Sequence, residues 1–126
     1  MIVLDASAVL AVLLDEPGAD VVIAHLEAAV ISTVNLSEVA TRLRRGLDAD
    51  VVRSHLNSLR MVAIPADETL AVEAGLLDRV TSPFGLSLGD RHCLALGLRL
   101  GCPVLTGDRA WSEVASAVGV EVRLIR

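Results

Sequence analysis

The chain contains no lysine and no tyrosine, one Trp, one Phe and two cysteines among 126 residues. Each scarcity removes a class of function. Without lysine there is neither a Schiff-base nucleophile nor the lysine of a phosphate-binding loop. With one Trp and one Phe, no platform of rings can stack successive bases in the way single-strand binders do. Cys93 and Cys102 are not spaced as a redox pair or a zinc site, and two thiols do not make a disulfide framework, so buried free thiols are expected. No apolar run approaches the roughly 20 residues of a membrane-spanning helix. Asp5 also falls where an export signal would be apolar, so a soluble, cytoplasmic chain with no membrane partner is expected.

What is present is acidic and apolar. Sixteen acids against eleven basic residues, all of them arginine, give a formal charge of -5, the wrong sign for gripping nucleic acid over the whole surface. Any such role must be local. The hydrophobic fraction of 53% and mean hydropathy of +0.61 suggest apolar surface covered by a partner or a second copy, so a homodimer is expected. The length suits one domain over residues 1–126.

Short apolar runs alternate with helical patterns. Ile2-Val3-Leu4 reads as a strand buried on both faces, and Ser7 as the cap of an apolar helix running to Leu14. A second helix is expected over Ala19 to Ala29, a strand over Val30 to Thr33, and a helix capped by Ser32 or Thr33 running to about Arg45. Helices are further expected over Ala49 to Leu59, Glu68 to Val80, Leu88 to Leu100 and Arg109 to Ala117. Strands are expected over Met61 to Ile64, Val104 to Thr106 and Val120 to Ile125. Strands separated by helices imply crossover connections, hence an α/β fold with a mostly parallel sheet of about five strands and helices on both faces.

Four acids fall at strand-to-helix positions: Asp5, Glu38, Asp90 and Asp108. Asp5 and Asp108 follow strands, while Glu38 and Asp90 lie early in helices that start from the same edge of a parallel sheet. Any one of them alone is explained as a turn former or helix cap. Asp5 resists that reading most, because it directly follows a buried run. Several carboxylates brought together repel unless a proton or cation joins them, and an all-oxygen set suits Mg²⁺ or Mn²⁺. His92 lies two residues after Asp90 and so on another side of its helix, and is not counted as a ligand.

The runs Asp5-Ala6-Ser7-Ala8, Asn35-Leu36-Ser37-Glu38, Ser87-Leu88-Gly89-Asp90-Arg91-His92-Cys93-Leu94-Ala95 and Leu105-Thr106-Gly107-Asp108-Arg109-Ala110-Trp111 resemble, in order and spacing, the motifs of PIN-domain ribonucleases. VapC-type toxins of toxin-antitoxin pairs are the members most resembled, over essentially the whole chain. The resemblance implies an α/β/α sandwich and an acidic site binding Mg²⁺ or Mn²⁺. It carries Asp5, Glu38, Asp90 and Asp108 over as metal-binding and catalytic residues, with Ser7 and Thr106 as supporting hydroxyls. It further implies metal-dependent cleavage of an RNA substrate and a cognate antitoxin as partner.

Substrate contacts fall to arginine. Arg91 and Arg109 directly follow two of the acids and are the candidates for a scissile phosphate, whereas Arg42, Arg44 and Arg45 read as a solvated helix face. Trp111 reads as packing. The alternative to the nuclease is a PIN-like module, weak or inactive as a catalyst, that acts through protein contacts. A phosphatase with Asp5 as nucleophile is a third possibility. It is weakened by Ser at position 7, where a second Asp belongs, and by the missing lysine.

Overall fold

A computed structural model describes all 126 residues, Met1 to Arg126. Its organising strand, β1 (Ile2–Leu4), has no exposed residue and lies at the centre of a five-stranded sheet. Around it, in chain order, come α1 (Ala6–Leu13), α2 (Ala19–Ile23), β2 (Ala29–Ser32), α3 (Thr33–Arg44), α4 (Ala49–Ser58), β3 (Val62–Ile64), α5 (Glu68–Leu76), α6 (Asp78–Thr81), α7 (Leu88–Leu100), β4 (Val104–Thr106), α8 (Trp111–Val118) and β5 (Val122–Leu124). The sheet order is β3-β2-β1-β4-β5, with every pair parallel. This confirms the expected α/β class and its five-stranded parallel sheet.

The pleat sorts the core into two halves. Ile2, Leu4, Ile31 and Leu105 face one way and pack with Val9, Val22, Val39, Leu43 and Val52 from α1 to α4. Val3, Val30 and Val104 face the other way and meet Leu70, Leu94, Leu96, Trp111 and Val114 from α5, α7 and α8. Alternate residues along a strand point to opposite faces, so one apolar run anchors both layers of a three-layer α/β/α sandwich. Trp111 is fully buried, as its packing role required.

Sheet order also dictates where a site can form. From β1 the chain moves outward through β2 and β3, then returns to the other side of β1 as β4 and continues to β5. The direction therefore switches between β1 and β4, and open α/β sheets place their ligands in the crevice outside the carboxyl ends at such a point.

Several boundaries differ from expectation for local reasons. The N-cap of α1 is Asp5, whose side chain accepts from the Ala8 amide, and Ser7 already lies inside the helix. The helix expected over Ala19 to Ala29 stops at Ile23 and gives way to a 3-10 turn over Leu26–Ala28, because Ala29 is drawn into the sheet opposite Ile2. The helix expected to reach Val80 ends at Leu76, next to Gly75, and restarts as α6. Ser32, not Thr33, caps α3, while the Thr33 hydroxyl accepts from the Ala66 amide. β5 starts at Val122 rather than Val120, since the Val120 amide is still bonded to the Ala115 carbonyl at the end of α8.

Candidate active site

Asp5 is 4% exposed, yet every oxygen it carries is engaged. Oδ1 accepts from the Ala8 amide at 2.9 Å and the Ser7 hydroxyl at 2.7 Å, and Oδ2 accepts from the Thr106 hydroxyl at 2.7 Å. The last of these bonds joins β1 to β4 across the switch point. Burial dominates its titration and raises its pKa from 3.8 to about 6, against the lowering effect of the Ser7, Thr106 and Ala8 hydrogen bonds. The negative charge of Asp90 adds to the rise.

Asp90 is placed by a capping box at the start of α7. The Ser87 hydroxyl accepts from the Asp90 amide at 3.2 Å, and Asp90 Oδ2 accepts from the Ser87 amide at 2.8 Å. Burial also pushes the Asp90 carboxyl up, and its like-charged neighbour is Asp108. Asp108 is exposed just beyond β4. Its amide donates to the Thr106 hydroxyl at 3.0 Å, and Oδ1 accepts from the Ala110 amide at 3.0 Å. Ser7 and Thr106 thus each take two roles: the Ser7 hydroxyl donates to Asp5 and accepts from the Gly107 amide at 2.8 Å.

Glu38 comes from α3 and leans across onto α7. The Asn35 side-chain nitrogen donates to Glu38 Oε2 at 2.9 Å and to the Gly89 carbonyl at 2.9 Å, so one amide group holds both helices. A Cβ at Gly89 would fall on the Glu38 carboxylate. Cys93, fully buried one turn further along α7, registers three of the four acids. Burial lifts its thiol well above the usual range, and the charges of Asp5, Asp90 and Glu38 lift it further. The four acids, just after β1, on α3, on α7 and in the loop after β4, therefore lie towards one sheet edge and within electrostatic reach of one another in pairs, Asp5 with Asp90 and Asp90 with Asp108.

Their approach is electrostatic rather than a ready-made cage. No three His, Cys, Asp or Glu side chains stand close enough to hold one ion between them. The chemistry of the donors nonetheless fits a hard divalent cation: all four are carboxylates, and Mg²⁺ commonly keeps several waters and takes only one or two carboxylates directly. Soft or borderline metals do not fit. The Cys93 thiol is buried and protonated, and the His92 ring is bonded through Nδ1 to the Leu88 carbonyl of its own helix at 2.9 Å.

The two arginine candidates part company. Arg91 turns toward α5 and α6, where Nη1 donates to the Ala74 carbonyl at 3.3 Å and lies 3.9 Å from Asp78. Arg109 is exposed beside Asp108. Two residues within the motifs had no role assigned from sequence, Asn35 and Gly89. Asn35 precedes Glu38 by three positions, a spacing that puts both on one helix face, and Gly89 is a glycine inside a helix start, a position glycine seldom takes without a packing reason.

The PIN domain family model matches residues 2–117. The chain belongs to the PIN-domain family. Solved structures share its fold: VapBC2 from Rickettsia felis bound to a promoter DNA fragment (16% identity, TM-score 0.76, 98% of each chain covered) and DNA-bound VapBC from Salmonella typhimurium (14%, 0.76, 99% of this chain and 98% of that one). FitAcB from Neisseria gonorrhoeae is similar at 22% identity and TM-score 0.70, over 97% of this chain and 96% of that one. Among curated proteins, none matches. At these identities the structural likeness speaks for the fold, and the PIN chain resembles these complexes over nearly its full length.

Proposed function

We propose that this PIN protein is a nuclease that hydrolyses RNA phosphodiester bonds with Mg²⁺ or Mn²⁺, and that it is the toxin partner of a cognate antitoxin. The observation that carries the reading is Asp5: a carboxylate buried at the switch point of the sheet, clamped by Ser7 and Thr106, with the charges of Asp90 and Asp108 successively beside it. A fold has no structural need for such repulsion, and a cation relieves it. Asp5, Glu38, Asp90 and Asp108 would hold the ion, directly or through its waters. Bound there, the cation supplies charge to activate water and to neutralise the scissile phosphate.

The chain's own residues supply placement. Ser7 and Thr106 orient the Asp5 carboxylate, Ser87 orients Asp90, and Asn35 keeps Glu38 against α7. Arg109 stands in solvent next to Asp108, where it can meet a phosphate. No covalent intermediate is needed. The antitoxin is inferred from a toxin-antitoxin complex from Klebsiella pneumoniae that the chain resembles in fold and from its exposed apolar residues, among them Leu14, Ile23 and Leu76. A second copy of the chain would cover such residues equally well, so the homodimer remains part of this proposal.

Incubating total RNA with wild type and Asp90→Asn, in Mg²⁺, Mn²⁺ and EDTA, tests the proposal. Discrete fragments that require metal and vanish in the variant are expected. Folded wild type, freed of antitoxin, that leaves RNA whole in both metals while still capturing a cognate antitoxin would replace the nuclease with the protein-binding module.

A further inference from the structure

Eleven arginines carry all the side-chain positive charge of this acidic chain, and five of them are paired or turned away from the carboxylates. Arg53, Arg91, Arg99 and Arg123 are paired with Asp50, Asp78, Asp67 and Glu121. Arg44 donates to the Leu47 carbonyl at the end of α3, the end that points away from the carboxylates. Arg126 differs. It follows β5, whose carboxyl end lies beside that of β4, and the Ile125 amide prolongs the ladder by donating to the Thr106 carbonyl at 3.0 Å.

Its guanidinium is anchored by a neutral acceptor, the Pro17 carbonyl, which takes Nη1 at 2.8 Å. The same group lies over Gly107, where an added Cβ would come within 2.8 Å of Nη2 and 3.0 Å of Cζ. Gly107 is the residue between Thr106 and Asp108, and its amide bonds Ser7, which in turn bonds Asp5. A fixed, solvent-facing guanidinium with no carboxylate partner therefore stands one residue from the acidic edge. An arginine held in this way keeps its charge available and presents planar donors that match phosphate oxygens. The absent side chain at Gly107 is what lets it lie there.

We propose that Arg126 is a substrate-binding residue that grips a backbone phosphate of RNA at the carboxylate edge; this rests on the nuclease reading above. Its contact supplies local positive charge where a -5 chain with an acidic site otherwise repels the substrate. Because the contact is to backbone, it acts on all sequences alike.

The test uses the full chain in an Asp5→Asn background, which keeps RNA intact, in Mg²⁺, with fluorescence anisotropy of a labelled mixed-sequence RNA oligonucleotide. Arg126→Gln is expected to weaken binding about tenfold or more and to reduce the slope of log affinity on log salt by about 1, with Arg126→Lys between the two. Arg53→Gln, which removes the same charge far from the edge, is expected to change neither. Gly107→Ala keeps the charge but displaces the guanidinium, so it is expected to weaken binding even if Arg126→Gln fails to fold. In the active chain Arg126→Gln and Gly107→Ala are expected to raise KM more than they lower kcat. Folded Arg126→Gln and Gly107→Ala that bind like their parent, or an equal loss in Arg53→Gln, would overturn the assignment while leaving the nuclease standing. A wild type that neither binds nor cuts RNA would overturn both.

Discussion

Replacing Asp5 by Asn is expected to stabilise the metal-free protein near neutral pH while destroying its activity. Folding moves the Asp5 carboxyl from 3.8 to about 6, chiefly by burial. At about 1.36 kcal/mol per unit, keeping that buried group ionised costs about 3 kcal/mol of stability. The native state takes up the proton first as pH falls, so it binds more protons than the unfolded chain between the two values. Stability from this group therefore falls as pH rises from 3.8 through about 6; the penalty is full above that window and absent below it. Asn removes the charge and retains most of the bonding. Its oxygen can accept from Ala8 and Ser7, and its nitrogen can donate to the Thr106 hydroxyl, which already accepts from the Asp108 amide. Allowing about 1 kcal/mol for imperfect bonding, the net gain is about 2 kcal/mol. Urea unfolding of both proteins in EDTA measures it, near neutral pH and near pH 4. A variant less stable than wild type at neutral pH, or a difference that is the same at both pH values, would refute the reasoning.

Three further outcomes follow from the packing around the site. Gly89→Ala places a methyl on the Glu38 carboxylate and is expected to lower RNA cleavage by about 100-fold or more with the fold retained, as circular dichroism and kinetics would show together. Asn35→Leu removes the donor shared by Glu38 and the Gly89 carbonyl, and with it the bond that ties α3 to α7, and is expected to cost about 1 to 3 kcal/mol in urea unfolding. Leu4→Ala, at a fully buried position of β1, is expected to cost about 2 to 5 kcal/mol by the same measurement.

How much of this was legible in the sequence depends on how local each cause was. The strand at Ile2–Leu4 declared itself through an unbroken apolar run, and Asp5 stood out because it ended that run. The α/β class followed from alternation, which is a chain-long signal. Serine at the start of an apolar run usually caps a helix, so Ser7 has the look of one, but Asp5 two residues earlier is the better-placed acceptor and takes the position. The break after α5 lies beside Gly75, a local signal that the apolar pattern running on to Val80 overrode, whereas the short α2 was not visible, because sheet pairing at Ala29 is decided in three dimensions. The same holds for the site. Spacing put Asn35 beside Glu38, but nothing in spacing reveals that α7 comes close enough for Gly89 to receive them both. Arg91 looked poised for substrate because it follows Asp90, and only the fold reveals that it reaches for Ala74 and Asp78.

Binding of Mn²⁺ to the purified chain, followed by the loss of its free-ion paramagnetic resonance signal, tests the central claim that four carboxylates make one hard-cation site. Wild type is expected to take up the ion, and Asp5→Asn, Glu38→Gln, Asp90→Asn and Asp108→Asn are each expected to weaken that uptake. Wild type that leaves the signal unchanged, or variants that bind the ion as wild type does, would contradict it.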